Sequence, residues 1–307
     1  MLTALIIDAL VGWPTGLFRA IGHPVTWLGR LIAALDRHLN TCPSRTRRWF
    51  LGWVALSATL AAAVLPALLL QAMIGATIPA LIGLGVLAWP LVAARSLHDH
   101  VQAVADPLTR RDLPAARAAV ANIVGRDVSR LDEAGIARAT MESLAENASD
   151  GILAPLFWGV LLGLPGIAAY KAVNTLDSMI GHRTARHQDF GWASAKLDDL
   201  LNLVPARLTG LLIALASPAP GRALAILARD GHRHRSPNAG YPEAAMAGGL
   251  GVRLAGPRVY HDVVAHEPWL NREARDPDAA DLQRALKVQR RALLLQGMLL
   301  AVLSYRD

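Results

Sequence analysis

The stretch from Trp49 to Met73 reads WFLGWVALSATLAAAVLPALLLQAM and contains no charged side chain. A helix of this length spans the roughly 30 Å of hydrocarbon in a lipid bilayer. A second uncharged stretch, Ala76 to Ala94, follows a turn at Gly75. The two stretches predict a transmembrane hairpin over residues 49–94. Because arginines lie on both flanks, and cytoplasmic loops collect Lys and Arg, we expect both flanks to be cytoplasmic.

The composition agrees with a chain that lies partly in lipid and partly in water. Of the 307 residues, 53% are hydrophobic and 18% are charged, and the mean hydropathy is +0.32. The net charge of +7 comes from basic residues scattered through loops. They do not form the stripe of basic and aromatic side chains that nucleic-acid binding uses. Membrane topology explains the charge better, so we expect surrounding membrane lipid and no nucleic-acid partner.

Two further features exclude other classes of protein. The single cysteine, Cys42, excludes an internal disulfide framework and a metal site built from several cysteines. The N-terminal MLTALIIDAL lacks a basic region and carries Asp8 within its apolar run, which is not typical of a cleavable signal peptide.

Two later apolar segments contain residues that disturb a membrane helix. Leu153 to Val173 is interrupted by prolines and glycine, and Leu200 to Ala216 carries an asparagine, a proline and an arginine. Such helices are tolerated where they are buried in protein or line a cavity. We therefore predict an all-α, multi-pass membrane protein with a clean N-terminal hairpin, broken or re-entrant helices and cytoplasmic helical segments. It forms a single domain over residues 1–307, with a C-terminal apolar segment at about 292–303.

The first polar constellation is an acidic series just before an apolar segment. Glu142, Glu146 and Asp150 follow i, i+4, i+8 spacing and would share one face of a helix. Carboxylate oxygens are ligands that suit Mg²⁺. An acidic, solvated helix start, favourable to the helix dipole, explains the same spacing equally well.

The second constellation is KAVNTLDS, where Lys171, Asn174 and Asp177 or Ser178 recur at helical spacing. The lysine ammonium could hold a phosphate, Asp177 a metal ion, and Asn174 a substrate. A lysine that extends its ammonium to the membrane surface, beside a polar helix end, is the alternative. We favour a functional site over a polar helix end, because Asn, Asp and Ser lower helix propensity where nothing local requires them.

The third constellation is KLDDLLNLVPAR, in which Asp198 and Asn202 are four residues apart and Arg207 follows a proline. A helix cap accounts for one of the acids, Asp198 or Asp199, but leaves Asn202 and Arg207 unexplained. Polar side chains within apolar segments mark functional sites. This pattern therefore favours function.

The fourth constellation is the basic run RDGHRHR followed by SPNAG, residues 236–240. Its small residues, with Gly240 at the end, could let the backbone approach a phosphate. A basic loop close to the membrane is an equally good interpretation. His232 and His234 are spaced so that they point to different faces of a helix, which argues against a metal pair.

Together these segments resemble the adenosylcobinamide-phosphate synthase family of cobalamin biosynthesis, the CbiB/CobD membrane proteins. The similar region covers both ends of the chain and most of its C-terminal two thirds, and the block from Glu142 to Arg207 is the most specific part. Tyr241 and Lys196 stand where tryptophan and arginine respectively are common in the family. The matching stretches are DALVGWP, HPVTWLGRLI, ESLAENASDGILAPLFWGVLLGLPGIAAYKAVNTLDSMIGH, FGWASAKLDDLLNLVPARLT and DGHRHRSPNAGYPEAAMAGGLGVRLAGP.

The resemblance implies an amide-bond ligase that uses ATP and Mg²⁺. It would join the propionate carboxylate of a corrinoid substrate, adenosylcobyric acid, to aminopropanol or its phosphate. Activation of the carboxylate by ATP as an acyl phosphate would precede attack by the amine. The site region extends over about residues 139–260. The implied roles are metal binding for Glu142, Glu146, Asp150 and Asp177, catalysis for Lys171, Asp198, Asp199 and Arg207, and substrate or ATP binding for Asn147, Asn174, Ser178, Asn202, Ser236, Asn238 and Gly240.

The resemblance also sets a topological requirement. ATP is cytosolic, so the site of an enzyme in the cytoplasmic membrane must face the cytoplasm. The helices that carry the site therefore cannot all cross the membrane. A homo-oligomer, or association with other membrane enzymes of cobalamin assembly, is a further expectation. The alternatives are a non-catalytic membrane sensor or regulator of the related β-lactamase-regulation type, and a transporter. A transporter is disfavoured because the polar blocks lie at segment ends and no two-halved repeat is visible.

Overall fold

The computed structural model describes residues 1–75, 77–125, 127–260, 263–265 and 267–304. These residues are predominantly helical, as predicted. The helices are α1 (Leu2–Val11), α2 (Thr15–Ile21), α3 (Pro24–Leu39), α4 (Arg45–Ile74), α5 (Ile78–Ala88), α6 (Ala94–Thr109), α7 (Leu113–Val120), α8 (Glu133–Asn147), α9 (Ala154–Ile180), α10 (Trp192–Leu201), α11 (Leu203–Ala216), α12 (Pro220–Asp230), α13 (Gly240–Leu250) and α14 (Ala279–Ser304).

Short strands also lie between α13 and α14, and the predominance of helix around them is consistent with the all-α prediction. β1 (Leu254–Ala255) pairs antiparallel with β4 (Trp269–Leu270), and β2 (Arg258–Tyr260) pairs antiparallel with β3 (Val263–Ala265). Each strand has only two or three residues. A strand this short has too few positions to show the alternation of apolar and polar residues that sequence reasoning relies on.

Three helical stretches are long and apolar enough to cross a membrane: Arg45–Ile74, Pro79–Thr109 and Glu133–Ile180. The number rises to five if α1 with α2, and α10 with α11, are each counted as one bent span. Several apolar helices of this kind agree with the predicted multi-pass membrane protein. The second arm of the hairpin is less regular than expected, because α5 ends at Ala88 and a 3₁₀ turn at Trp89–Leu91 follows. The hairpin itself and the cytoplasmic segments stay predictions.

The chain groups into two compact units, and each is built from two separate segments. The first unit comprises Met1–Ala93 and Ala154–Asn202, and the second comprises Ala94–Leu153 and Leu203–Asp307. The expectation of one domain over residues 1–307 stays a prediction.

The core of the first unit lies where α3, α4, α9 and α10 pack together. Ile32, Leu56 and Leu176 are buried there against Phe190, which precedes α10. Gly52 of α4 faces the Phe190 carbonyl so closely that a Cβ atom would overlap the oxygen. In a bilayer, close packing of small residues and not exclusion of water stabilises helix pairs. This packing fixes the end of α9 beside α10.

α9 is broken, which confirms the prediction for this apolar segment. Gly163 has φ 69° and ψ −152°, a conformation that glycine adopts readily, and Pro165 lies in the first turn of the second half. The Leu164 N–H, which the break deprives of a helical acceptor, donates to Gln71 Oε1 of α4 at 2.8 Å. The predicted break in Leu200–Ala216 is also confirmed, since α10 ends and α11 begins on either side of Asn202.

In the second unit, α11 and α12 pack against α13, and α14 packs against α6, α8 and α11. Gly248 and Gly249 of α13 lie against α12 and Ser217, where a Cβ atom would be within 3 Å of its neighbours. The glycine-rich stretch from Gly248 therefore serves close helix packing. The predicted C-terminal apolar segment is the end of the long helix α14.

Candidate functional site

A network of polar side chains joins α9 to α10 in the first unit. Tyr170 donates its hydroxyl to Asn202 Oδ1 at 2.9 Å, and Asn202 Nδ2 donates to Asp198 Oδ2 at 3.0 Å. The other oxygen of Asp198 accepts from Asn174 Nδ2 at 3.5 Å, and Lys171 Nζ donates to Asn174 Oδ1 at 3.5 Å. Tyr170, Asp198 and Asn202 are buried. The network brings together predicted site residues that are up to 31 positions apart in the chain, as the numbering of Lys171 and Asn202 shows.

Two more acids lie close to this network. The carboxylates of Asp177 and Asp199 interact electrostatically with that of Asp198. Lys196 Nζ, 3.4 Å from Asp199 Oδ2, provides a partly exposed counter-charge. Ser178 is exposed and donates its hydroxyl to the Asn174 carbonyl at 2.8 Å. The second half of α9 and the middle of α10 thus present carboxylate oxygens, amides and two lysines in a single place.

His23 is a neighbour of this network that was not among the predicted site residues. It caps α3, because its Nδ1 accepts from the Val25 N–H at 3.2 Å. The ring also packs edge-on against Trp13, with centroids 4.9 Å apart. Burial, and then the positive charge of Lys171, lower the pKa of His23. The imidazole is therefore neutral at pH 7 and carries its proton on Nε2. His23 and Lys171 are far apart in the sequence, so their proximity could be found only from the tertiary structure.

The first acidic constellation lies in the second unit and is not one continuous α-helical face. α8 ends at Asn147, and Ala148–Leu153 continues as a π-helical segment that includes Asp150. Because a π-turn has a longer period than an α-turn, the expected i, i+4, i+8 alignment stops at Asn147. Glu142 is buried and accepts the Ala255 N–H of β1 at 2.8 Å, whereas Glu146 is exposed. Asn147 Nδ2 donates to the Ser143 carbonyl at 2.9 Å.

Arg207 and the SPNAG loop come together at the start of α13 in the second unit. Arg207 Nη2 donates to the Tyr241 hydroxyl at 3.2 Å, and its guanidinium lies 4.1 Å from the centre of the Tyr241 ring. Ser236 Oγ accepts the N–H groups of Asn238 and Ala239, each at 3.2 Å. Gly240 packs on the Gly231 carbonyl, with no room for a side chain. The predicted phosphate contacts of Ser236, Asn238 and Gly240 stay predictions.

A buried group beside this loop was missed by the sequence interpretation. His234 Nε2 lies 3.9 Å from a carboxylate oxygen of Glu243 and 3.9 Å from one of Glu267. The other ring nitrogen, Nδ1, accepts the Ser236 N–H at 3.1 Å. His234 was considered only as a partner of His232, and its acidic neighbours lie on different elements of the chain. The ring helps to fix the conformation of the SPNAG loop.

The predicted metal ligands are divided between the units. Asp177 belongs to the first unit, and Glu142, Glu146 and Asp150 belong to the second. Among the residues that the structure describes, no three His, Cys, Asp or Glu side chains are grouped so that they could hold a metal ion by themselves. The acids of the first unit nevertheless have the oxygen donors that Mg²⁺ prefers.

Comparison with known proteins gives one consistent result. The model of the CobD/Cbib protein family matches residues 1–289. The chain is 60% identical over 302 residues to the cobalamin biosynthesis protein CobD of Rhodobacter capsulatus, covering 98% of this chain and 95% of that protein. It is 47% identical over 293 residues to the protein of that name from Brucella suis (90% and 89% covered), and 42% identical over 313 residues to that from Geobacter metallireducens (99% and 96%).

No solved structure gives a significant match to the chain. The family match extends over all the motifs from the N-terminal apolar segment to α14, including the Tyr170–Asn202 network and the SPNAG loop. It covers far more than half of the sequence, and the relatives are matched along nearly their whole length. The chain therefore belongs to the CobD/CbiB family of cobalamin biosynthesis proteins.

Proposed function

We propose that this protein is an ATP- and Mg²⁺-dependent amide-bond ligase of cobalamin biosynthesis. It would join the propionate carboxylate of adenosylcobyric acid to aminopropanol or aminopropanol phosphate. The observation that carries the proposal is the network on α9 and α10 in which buried Tyr170, Asn202 and Asp198 connect to half-buried Asn174 and Lys171. Polar groups are costly within apolar helices and are typical of functional sites there.

The reaction requires two displacements. A carboxylate oxygen of the corrinoid attacks the γ-phosphorus of ATP and releases ADP, and the amine nitrogen then attacks the acyl carbon and releases phosphate. The amine loses a proton as the amide forms, so a base must accept it. Asp198 suits this task because Asn174 and Asn202 hold its two oxygens in fixed positions. Lys171 supplies positive charge where negative charge develops on phosphoryl oxygens.

The acids around Asp198 fit a role with Mg²⁺. Protein-bound Mg²⁺ commonly has only one or two carboxylate ligands and completes its shell with water and substrate phosphates. Asp177 and Asp199, which interact with Asp198, supply such ligands without a complete cage. Bound Mg²⁺ would neutralise phosphate charge. Glu142 is a weaker candidate, because one of its oxygens already accepts the Ala255 N–H.

The test is ATP-dependent formation of adenosylcobinamide phosphate by membranes that contain the protein. Asp198→Asn keeps the size of the side chain but removes the base, and we expect turnover to fall by about 10²–10⁴-fold. Asp99→Asn is the matched control, because Asp99 is exposed and pairs with Arg95 on α6. Membranes with normal amounts of wild-type protein but no product would refute the ligase function. An active Asp198→Asn variant would refute the role of Asp198 alone.

A further inference from the structure

A charged cleft in the second unit contains no residue that has an assigned role in the proposed reaction. It has a volume of about 410 Å³ and lies between the end of α12 and the turn that follows β4. Arg229, Arg233 and Arg272 line it, together with Asp230 and Glu273. A cleft of this size is within the range of small-ligand sites. Three guanidinium groups against two carboxylates leave it with a net positive charge.

Asp230 holds two of these arginines in place. Its side chain is 1% exposed, and it accepts from Arg229 Nε at 2.9 Å and from Arg229 Nη2 at 2.7 Å. Arg233 Nη1 lies 3.4 Å from the same carboxylate. Burial by itself would raise the pKa of Asp230, but the Arg229 hydrogen bonds and an N–H donor from Asn271 hold it below the usual value. The carboxylate is therefore ionised at neutral pH and orients both guanidinium groups.

The third arginine is positioned by its backbone. Asn271, directly before Arg272, has φ 54°, which is uncommon for a residue other than glycine. Its N–H donates to Asp230 Oδ2 at 2.8 Å, and its side-chain amide donates to the carbonyls of Ala247 and Val252. Asp230 thus fixes the turn that carries Arg272 as well as Arg229 and Arg233. One buried acid organises all three cations.

The arrangement leaves donors for a ligand. An arginine has five N–H groups, and Arg229 uses two of them on Asp230. The side chains of Arg229 and Arg233 are 50% and 52% exposed, so their remaining N–H groups reach the solvent in the cleft. Trp269, also in the wall, has Gly256 packed on its ring and the guanidinium groups of Arg138 and Arg253 within 4.7 Å of its centre.

We propose that this arginine cleft binds a phosphate group. Guanidinium groups bind phosphate through paired, charge-assisted hydrogen bonds, and several of them together favour its higher charge over a single carboxylate. The phosphate belongs either to a small soluble phosphorylated compound or to the headgroup of an anionic phospholipid. The proposal rests on the cleft alone, so it stands or falls independently of the ligase function.

The first experiment is calorimetric titration of the full-length, detergent-solubilised protein with inorganic pyrophosphate. Arg233→Gln and Arg272→Gln each remove one cleft cation, and we expect each to weaken binding by about tenfold or more. Arg110→Gln is the control, because Arg110 is an exposed arginine of the same unit outside the cleft and its loss should leave binding unchanged. Circular dichroism shows whether each variant is folded. Equal binding of citrate, or equal loss in the Arg110→Gln variant, would overturn the proposal.

The second experiment identifies the source of the phosphate. Native mass spectrometry of the same proteins compares retention of short-chain phosphatidic acid with that of phosphatidylcholine. Arginine-dependent retention of phosphatidic acid without pyrophosphate binding assigns the cleft to a lipid headgroup. Arginine-dependent pyrophosphate binding assigns it to a soluble ligand. If neither compound binds in a way that depends on Arg233 and Arg272, the cleft is not a phosphate site.

Discussion

Replacing Tyr170 by phenylalanine tests whether the hydrogen bonds of the α9–α10 network stabilise the fold. The hydroxyl donates to Asn202 Oδ1 at 2.9 Å, and both residues are 1% exposed. Tyr170→Phe preserves the ring and leaves a buried acceptor without this donor. The expected cost is about 1–3 kcal/mol. This corresponds to roughly a 5- to 150-fold increase in the unfolding equilibrium constant.

Asn202→Leu should cost more, because Asn202 also donates to the Asp198 side chain at 3.0 Å and to the Asp198 carbonyl at 3.2 Å. The double variant Tyr170→Phe, Asn202→Leu removes both partners of the first bond. No buried acceptor of that bond then remains. The double variant should therefore lose less free energy of unfolding than the sum of the losses in the two single variants, by about 0.5–3 kcal/mol. Asn122→Leu is the control, because Asn122 is exposed.

The free energy of unfolding is measured in mixed detergent micelles of increasing SDS content, with helicity followed by circular dichroism. A change below about 0.5 kcal/mol for Tyr170→Phe is what a surface substitution gives. That result, or strictly additive costs in the double variant, would refute the network as described. Ligase turnover of the same variants shows separately whether the position of Asp198 matters for activity.

Three other predictions concern single residues. Asp177→Ala should lower turnover at limiting Mg²⁺ more than at saturating Mg²⁺; wild-type turnover throughout would exclude Asp177 as a metal ligand. In a Cys42→Ser background, Ser178→Cys should escape an impermeant thiol reagent added outside intact cells, and labelling there would contradict a cytoplasmic site. Hydrogen bonds from Arg253 lower the pKa of Asp276 to about 2. The stability that this carboxylate contributes is therefore complete above pH 4 and lost as the pH falls towards 2, and unfolding measured across this interval should depend less on pH in Asp276→Asn.

The apolar segments and their breaks could be predicted because their causes are local. An uncharged run long enough to cross a bilayer is visible in the sequence, as is Pro165 within the apolar segment of α9. The residue with non-helical backbone angles is Gly163, two positions earlier. Helical spacing also placed Lys171 and Asn174 on one side of α9, and Asp198 and Asn202 on one side of α10. Only the apolar context and the family resemblance gave a reason to expect that these two sides meet.

The features that could not be predicted depend on distant parts of the chain. Glu142 accepts a hydrogen bond from Ala255, which is 113 residues away, so its spacing to Glu146 and Asp150 said little about its surroundings. The π-helical segment after Asn147 has a longer helical period than the α-helix before it, and no proline in the sequence signals this change. His23 lies beside Lys171, and Asp230 beside Asn271, only because the tertiary fold brings them together.

The interleaving of the two units sets the order in which they can be completed during synthesis. The ribosome makes Met1–Ala93 first, but its partner Ala154–Asn202 emerges only after the whole of Ala94–Leu153. At roughly 5–20 residues per second, the roughly 60 intervening residues delay closure of the first unit by about 3–12 s. During this time α4, a candidate membrane span, lacks the packing surface of α9. A chaperone or insertase that protects this early segment would therefore act before residue 154 is made.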